Sequence, residues 1–241
     1  MNLFKFIAFV FLLLSINNAF CQDGFINGAP QLAYWKIGDK KDIVIILHGG
    51  PGAAHNYLRP EWDTLSNVAQ VIYYDQRGCG KSEVAECYSW RQHVLDLRRV
   101  IAQFSNGRKV VLAGSSWGYT LALLYTYSYP QDIKGVILSG ITIWEGKGED
   151  IKDCSFYIPD KTKSPYLGKD TIGYMNLKLF SADISKIEKK DKGTKVIEIH
   201  NFSFNNTLNS LIEAPSLKEL IKINVPVLAF EGNGNCGRNP H

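Results

Sequence analysis

Ser116 lies in Gly114-Ser115-Ser116-Trp117-Gly118, with a glycine two residues before it and another two after. Those flanks suit a nucleophile on a strained strand-to-helix turn, where a side chain at either glycine would collide with the chain around it. The chemistry of such a serine is acyl transfer. It requires a base for the hydroxyl proton, a carboxylate to orient the base, and N–H donors for the oxygen that becomes negative. At average composition the three fixed residues arise by chance in roughly 8% of chains of this length, so the surrounding elements must carry the reading.

Two further motifs supply such surroundings. His48-Gly49-Gly50-Pro51-Gly52 follows an apolar run and presents bare backbone N–H groups. An oxyanion hole beside Ser116 would take one N–H from the next residue, Trp117, and one from this loop, at Gly49 or Gly50. His48 itself is read as structural, because it sits on the wrong loop for the base. Asp75-Gln76-Arg77-Gly78-Cys79-Gly80-Lys81-Ser82 follows a second apolar run and is read as a turn held by hydrogen bonds of Asp75 and Arg77.

The elements that must position these residues alternate between short β-rich runs and longer helical ones, the mark of a mostly parallel sheet covered by helices. Ile43 to Leu47 is the first buried strand, a helical segment spans about Tyr57 to Val68, and Val71 to Tyr74 is the next strand. Ser89 is placed to cap a helix with Val94, Leu97, Ile101 and Phe104 on one face, stopped by Asn106-Gly107. Lys109 to Ala113 is strand, Trp117 to Tyr129 helix, and Gly135 to Gly140 strand. From about Trp144 to Ser210 the rhythm breaks, and Ile187 to Lys192 reads as a charged, solvated loop. The alternation resumes with a helical stretch at Leu217 to Ile223 and a strand at Pro226 to Phe230. The expected organisation is a signal peptide at 1–21, a first core part at 22–143, an inserted cap at 144–210 and a second core part at 211–241.

The three motifs resemble those of the proline iminopeptidase branch of the α/β-hydrolases, which carry HGGPG, DQRGxGxS and GGSWG at similar spacing. This chain departs only at Ser115, where the second glycine would stand. The resemblance takes in Val94-Leu95-Asp96-Leu97 and Thr120-Leu121-Ala122-Leu123, covers Ile43 to about Ile141, and returns at Val225 to Gly232. It is weak across the cap. It implies the α/β-hydrolase fold and removal of an N-terminal residue, often proline, from a peptide through an acyl-enzyme on Ser116. It also implies acidic groups in the cap for the substrate's free amine, for which Glu145, Glu149, Asp150 and Asp183 are candidates by region.

The triad partners depart further. The acid is expected after the strand at Pro226 to Phe230, and the residue in that position is Asn235. No base is assigned: His55, His93 and His200 stand in the wrong chain order, and His241 is the terminal residue of the sequence. Glu145 could act as an acid from the position some lipases use. On these grounds the final strand and helix of the fold are expected to be missing, leaving an exposed apolar edge. The alternatives to a proline iminopeptidase are a silent or truncated form that only binds a ligand, and a small-substrate esterase.

Composition limits the remaining classes. The 241 residues suffice for one core and carry a formal charge of +4 spread among acidic neighbours, giving no nucleic-acid footprint. Lys5, the apolar run Phe6 to Leu14 and Ala19-Phe20-Cys21 read as a cleavable export signal, too short for stable membrane insertion, which places the protein in the periplasm or outside the cell. Cys79, Cys87, Cys154 and Cys236 could pair in any of three ways. No metal or organic cofactor is implied, since no ligand spacing occurs and acyl transfer through serine needs none. The expected partner is a peptide or small acyl substrate.

Overall fold

The structure, a computed structural model, describes residues 22–140, 172–183 and 188–230. Nine strands occur among them: β1 (Gly24–Ile26), β2 (Leu32–Ile37), β3 (Ile43–Leu47), β4 (Gln70–Tyr74), β5 (Val110–Ser115), β6 (Ile133–Ser139), β7 (Ile172–Asp183), β8 (Glu188–His200) and β9 (Val227–Phe230). Seven form one sheet in the order β1-β2-β4-β3-β5-β6-β9. The five strands from β4 to β9 in that order run parallel, and β1 and β2 are added antiparallel at one edge.

The sequence IVIIL explains the position of β3. Successive residues of a strand face opposite ways, so a run that is apolar throughout must be buried on both sides. Ile43, Ile45 and Leu47 join the core on one face, Val44 and Ile46 the core on the other. The first face is covered by α1 (Trp90–Ser105) and α2 (Trp117–Ser128). Val94, Leu97 and Ile101 of α1 are buried as their helical spacing requires, and Asn106 closes the helix in the left-handed region at φ 49°. Ser89 occupies the N-cap position, but its side chain makes no capping hydrogen bond. Two short helices follow β8, α3 (Asn201–Ser210) and α4 (Leu217–Leu220).

The structure corrects three sequence expectations. The segment expected to be helical over 57–68 forms two 3-10 turns, His55–Leu58 and Glu61–Asn67, separated at Pro60, which has no N–H to continue a helix. The charged residues 188–192 are strand rather than loop: β8 pairs antiparallel with β7 along its length, from Asp183↔Glu188 to Ile172↔His200. Backbone ladder bonds do not depend on side-chain charge, so the charge run concealed the ribbon. Ile43 to Leu47 is preceded by β1 and β2, too short or too irregular in pattern to read, and placed by pairing of β2 with β4 (Tyr34↔Tyr74 to Ile37↔Val71). Among the described residues no helix is long and apolar enough to cross a membrane.

Candidate active site

The chain leaves β3 to one side to form β4, then crosses to the other side of β3 to form β5. Loops leaving the carboxyl ends of β3 and β5 therefore diverge, and open parallel sheets have their crevice at such a point. His48 to Gly52 follows β3, and Ser116 follows β5.

Ser116 adopts φ 55° and ψ −120°, a conformation costly for a residue with a side chain. Its neighbours hold it there. The Ser116 N–H donates to the Ser139 carbonyl at 3.1 Å, tying the turn to the end of β6. A Cβ on Gly114 would strike the Gly118 backbone, and one on Gly118 would strike the Leu47 carbonyl at the end of β3. Helix α2 starts directly after the serine, so the Trp117 N–H belongs to the first turn, whose donors have no partner inside the helix.

The His48 to Gly52 loop lies against this turn. A Cβ on Gly49 would lie 2.7 Å from the Ser116 Cβ and 2.7 Å from the Ser115 carbonyl, so only glycine allows the approach. The Gly49 N–H donates to the Tyr57 hydroxyl at 2.5 Å. Burial raises the Tyr57 pKa to about 12, against hydrogen bonds from Gly49 and Ser115, so the phenol is neutral at physiological pH.

Sequence reading missed the part that fixes the two oxyanion elements to each other. The Trp117 indole N–H donates to Gln76 Oε1 at 2.7 Å, Gln76 Nε2 donates to the His48 carbonyl at 3.0 Å, and the Gln76 backbone N–H donates to His48 Nε2 at 3.0 Å. Because Nε2 accepts, Nδ1 carries the proton and donates to the Gly49 carbonyl at 3.1 Å. Complete burial lowers the His48 pKa to about 4, so His48 is neutral and structural. Gln76 lies inside the Asp75 to Ser82 motif, but its bridging role depends on two loops meeting.

The adjoining turn is held as expected. The Asp75 carboxylate accepts the Lys81 N–H at 2.9 Å, the His55 N–H at 3.0 Å and His55 Nδ1 at 2.8 Å. Burial would raise the Asp75 pKa, but the His55 hydrogen bond and charge outweigh it and hold the carboxyl below the usual range. Arg77 makes a two-pronged ion pair with Asp96 of α1, at 2.7 and 2.8 Å.

Three histidines are thereby committed away from the serine. His48 serves the loop, His55 serves Asp75, and His93 shares a hydrogen bond with Thr207 at 3.0 Å while its ring meets Trp117 edge-on at 5.4 Å. Burial drives the His93 pKa well below the ordinary value. None of the three is hydrogen-bonded to Ser116. His200 joins the site from the ribbon, its N–H donating to the Gly52 carbonyl at 2.9 Å. Asn235, His241, Glu145, Glu149, Asp150, Cys154, Cys236 and the signal stretch lie outside the described residues, and Asp183 ends β7. Cys79 is buried with its Sγ on the Arg77 carbonyl at 3.4 Å, and Cys87 is an exposed thiol. Among the described residues no group of three or more His, Cys, Asp or Glu is placed to hold a metal ion.

A parallel sheet, a strained serine after β5 and a glycine loop after β3 define a class. The sequence profile of the alpha/beta hydrolase fold matches residues 42–210, and the chain belongs to that family. Within it, the chain is similar to the proline iminopeptidase of Thermoplasma volcanium, 36% identical over 125 residues that make up 50% of this chain and 42% of that one. It is also 31% identical over 148 residues to the proline iminopeptidase of Saccharolobus solfataricus, covering 58% of this chain and 47% of the other. The chain thus spans about half the length of the curated relatives it matches. Among solved structures, VinJ aligns with a TM-score of 0.46 and 26% identity over 49% of this chain and 44% of that one.

Proposed function

We propose that the protein is a serine hydrolase that removes an N-terminal residue from peptides, most like a proline iminopeptidase, through an acyl-enzyme on Ser116. The observation that carries this reading is the Ser116 turn, at φ 55° and packed beneath Gly49. In the reaction Ser116 Oγ bonds to the scissile carbonyl carbon as its proton passes through a base to the leaving amine. The C–N bond breaks, and water then releases the acyl group. The N–H groups of Trp117 and of Gly49 or Gly50 stabilise the carbonyl oxygen while it is negative. Similarity to two proline iminopeptidases at 31% and 36% identity supports the substrate class.

The test is labelling of the full chain by a fluorophosphonate, with Ser116→Ala as the control. Labelling that disappears in the variant supports the reading. A folded chain that does not label overturns it in favour of a ligand-binding form without turnover, a second reading suggested by the commitment of His48, His55 and His93 elsewhere. The peptide reading is separated from a small-substrate esterase by comparing prolyl amide with simple acyl ester hydrolysis. We further propose export through the first 21 residues to the periplasm or cell exterior, for which the check is a mature N-terminus near Gln22.

A further inference from the structure

The side chain of Gln76 is tied at both of its polar atoms. Oε1 accepts the Trp117 indole N–H at 2.7 Å and Nε2 donates to the His48 carbonyl at 3.0 Å, while the backbone N–H of the same residue donates to His48 Nε2 at 3.0 Å. All three residues are buried. An indole nitrogen only donates and a carbonyl oxygen only accepts, so the carboxamide is held in one orientation.

The bridge ends one residue from the nucleophile on one side and at the head of the glycine loop on the other. Trp117 follows Ser116, His48 precedes Gly49, and a Cβ on Gly49 would lie 2.7 Å from Ser116 Cβ. The place where the loop meets the serine turn is thus flanked by the two groups that Gln76 holds. Gln76 itself sits in a fixed frame, because Asp75 is held by His55 and the Lys81 N–H, and Arg77 by Asp96 of α1. A buried polar bridge carries a desolvation cost that apolar packing avoids, and what it adds is direction.

We propose that Gln76 is a positioning residue for acyl transfer: its carboxamide sets the distance and orientation between the Ser116 turn and the His48 to Gly52 loop. This inference rests on Ser116 being the nucleophile, and it holds whichever glycine N–H of the loop faces the substrate oxygen. Gln76 acts through geometry, and small misplacements of reacting groups cost about tenfold or more in rate.

Two substitutions separate this role from one in stability alone. Gln76→Met keeps the length of the side chain and removes both donor and acceptor. Gln76→Glu keeps both while its carboxyl is protonated, a form that burial favours, and once ionised it turns an acceptor toward the His48 carbonyl. The experiment measures the rate of fluorophosphonate labelling of the full chain, per folded molecule, for the native protein, both variants and Ser116→Ala. Each rate is divided by the native rate at the same pH, from about pH 6 to about pH 8.5. The expected result is labelling of native Ser116, labelling at least about tenfold slower in Gln76→Met, and Gln76→Glu faster than Gln76→Met at about pH 6, with that advantage shrinking toward about pH 8.5. If Gln76→Met does not fold, Trp117→Phe, which removes only the indole donor, takes its place in the comparison. A Met rate within about twofold of native overturns the positioning role and leaves the nucleophile intact, as does a Glu variant with no advantage at about pH 6 or with one that does not shrink as pH rises. Labelling that is absent from the folded native chain, or that survives Ser116→Ala, overturns the nucleophile and the positioning role with it.

Discussion

β3 and β9 are both apolar throughout, IVIIL and VLAF, and both pair in parallel within one sheet. All five residues of β3 are buried, whereas all four of β9 are exposed, with Val227, Leu228 and Phe230 at 51%, 52% and 55%. An apolar run specifies a strand, but its neighbours decide whether that strand is core or edge. β3 lies between β4 and β5, with helices on one face and the 3-10 turns on the other. β9 is paired on one side only among the described strands, with β6. The candidate site lies at the ends of the buried strands β3 and β5, where the strained Ser116 turn is packed against the loop that follows β3, as such a turn needs to persist.

The sharpest test of this contrast is at the carboxyl end of β3. Gly118→Val drives a side chain into the Leu47 carbonyl, and the expected outcome is loss of at least about 3 kcal/mol of stability with loss of Ser116 labelling, read by urea denaturation and probe incorporation. Next come the two strands themselves. Ile45→Ala should cost about 2–5 kcal/mol, as a fully buried truncation does, while Leu228→Ala should cost under about 1 kcal/mol. Equal losses in urea would mean that β9 is buried in solution.

Acid should act through the buried side of the molecule. In an unfolded chain a histidine takes up its proton near pH 6.5, whereas folded His48 does so only near 4, and folded His93 is also held well below its ordinary value. Between those limits the unfolded state binds more protons, so the contribution of these two histidines is flat above about pH 7 and is lost as pH drops from 6.5 toward 4. The His48 share is on the order of 3 kcal/mol at most, and His48→Gln should flatten this part of a stability–pH curve by its portion. The smallest effect is expected at the surface: Arg91→Ala breaks the exposed pair with Glu213 (2.9 Å) and should lower the unfolding free energy read from urea denaturation by no more than about 0.5 kcal/mol.

Much of this was legible in the residues because it depends on local rules. The strands at 43–47 and 110–115, the helices on either side of Ser116, and the turn itself follow from β-branched runs, helical spacing and the placement of small residues. The arrangement of helix α1 was readable even though Ser89 does not cap it through its side chain, since the apolar face alone fixes such a helix. The ribbon was not legible, because β7 and β8 are stabilised by each other and their charges say nothing about pairing. Gln76 and Tyr57 were missed for a related reason. Neither residue type announces a role, and each acquires one only when two loops distant in sequence meet.

The sequence by itself determined the sheet-and-helix alternation, the serine turn and the glycine loop, since local sterics and hydrophobic periodicity act over a few residues. Only the tertiary structure decided which apolar strand is core and which is edge, and that Gln76 locks His48 to Trp117. It also decided that the Gly49 N–H is already taken by a tyrosine. These are long-range contacts, whose geometry depends on the packing of the whole sheet and is carried by no single segment of the chain.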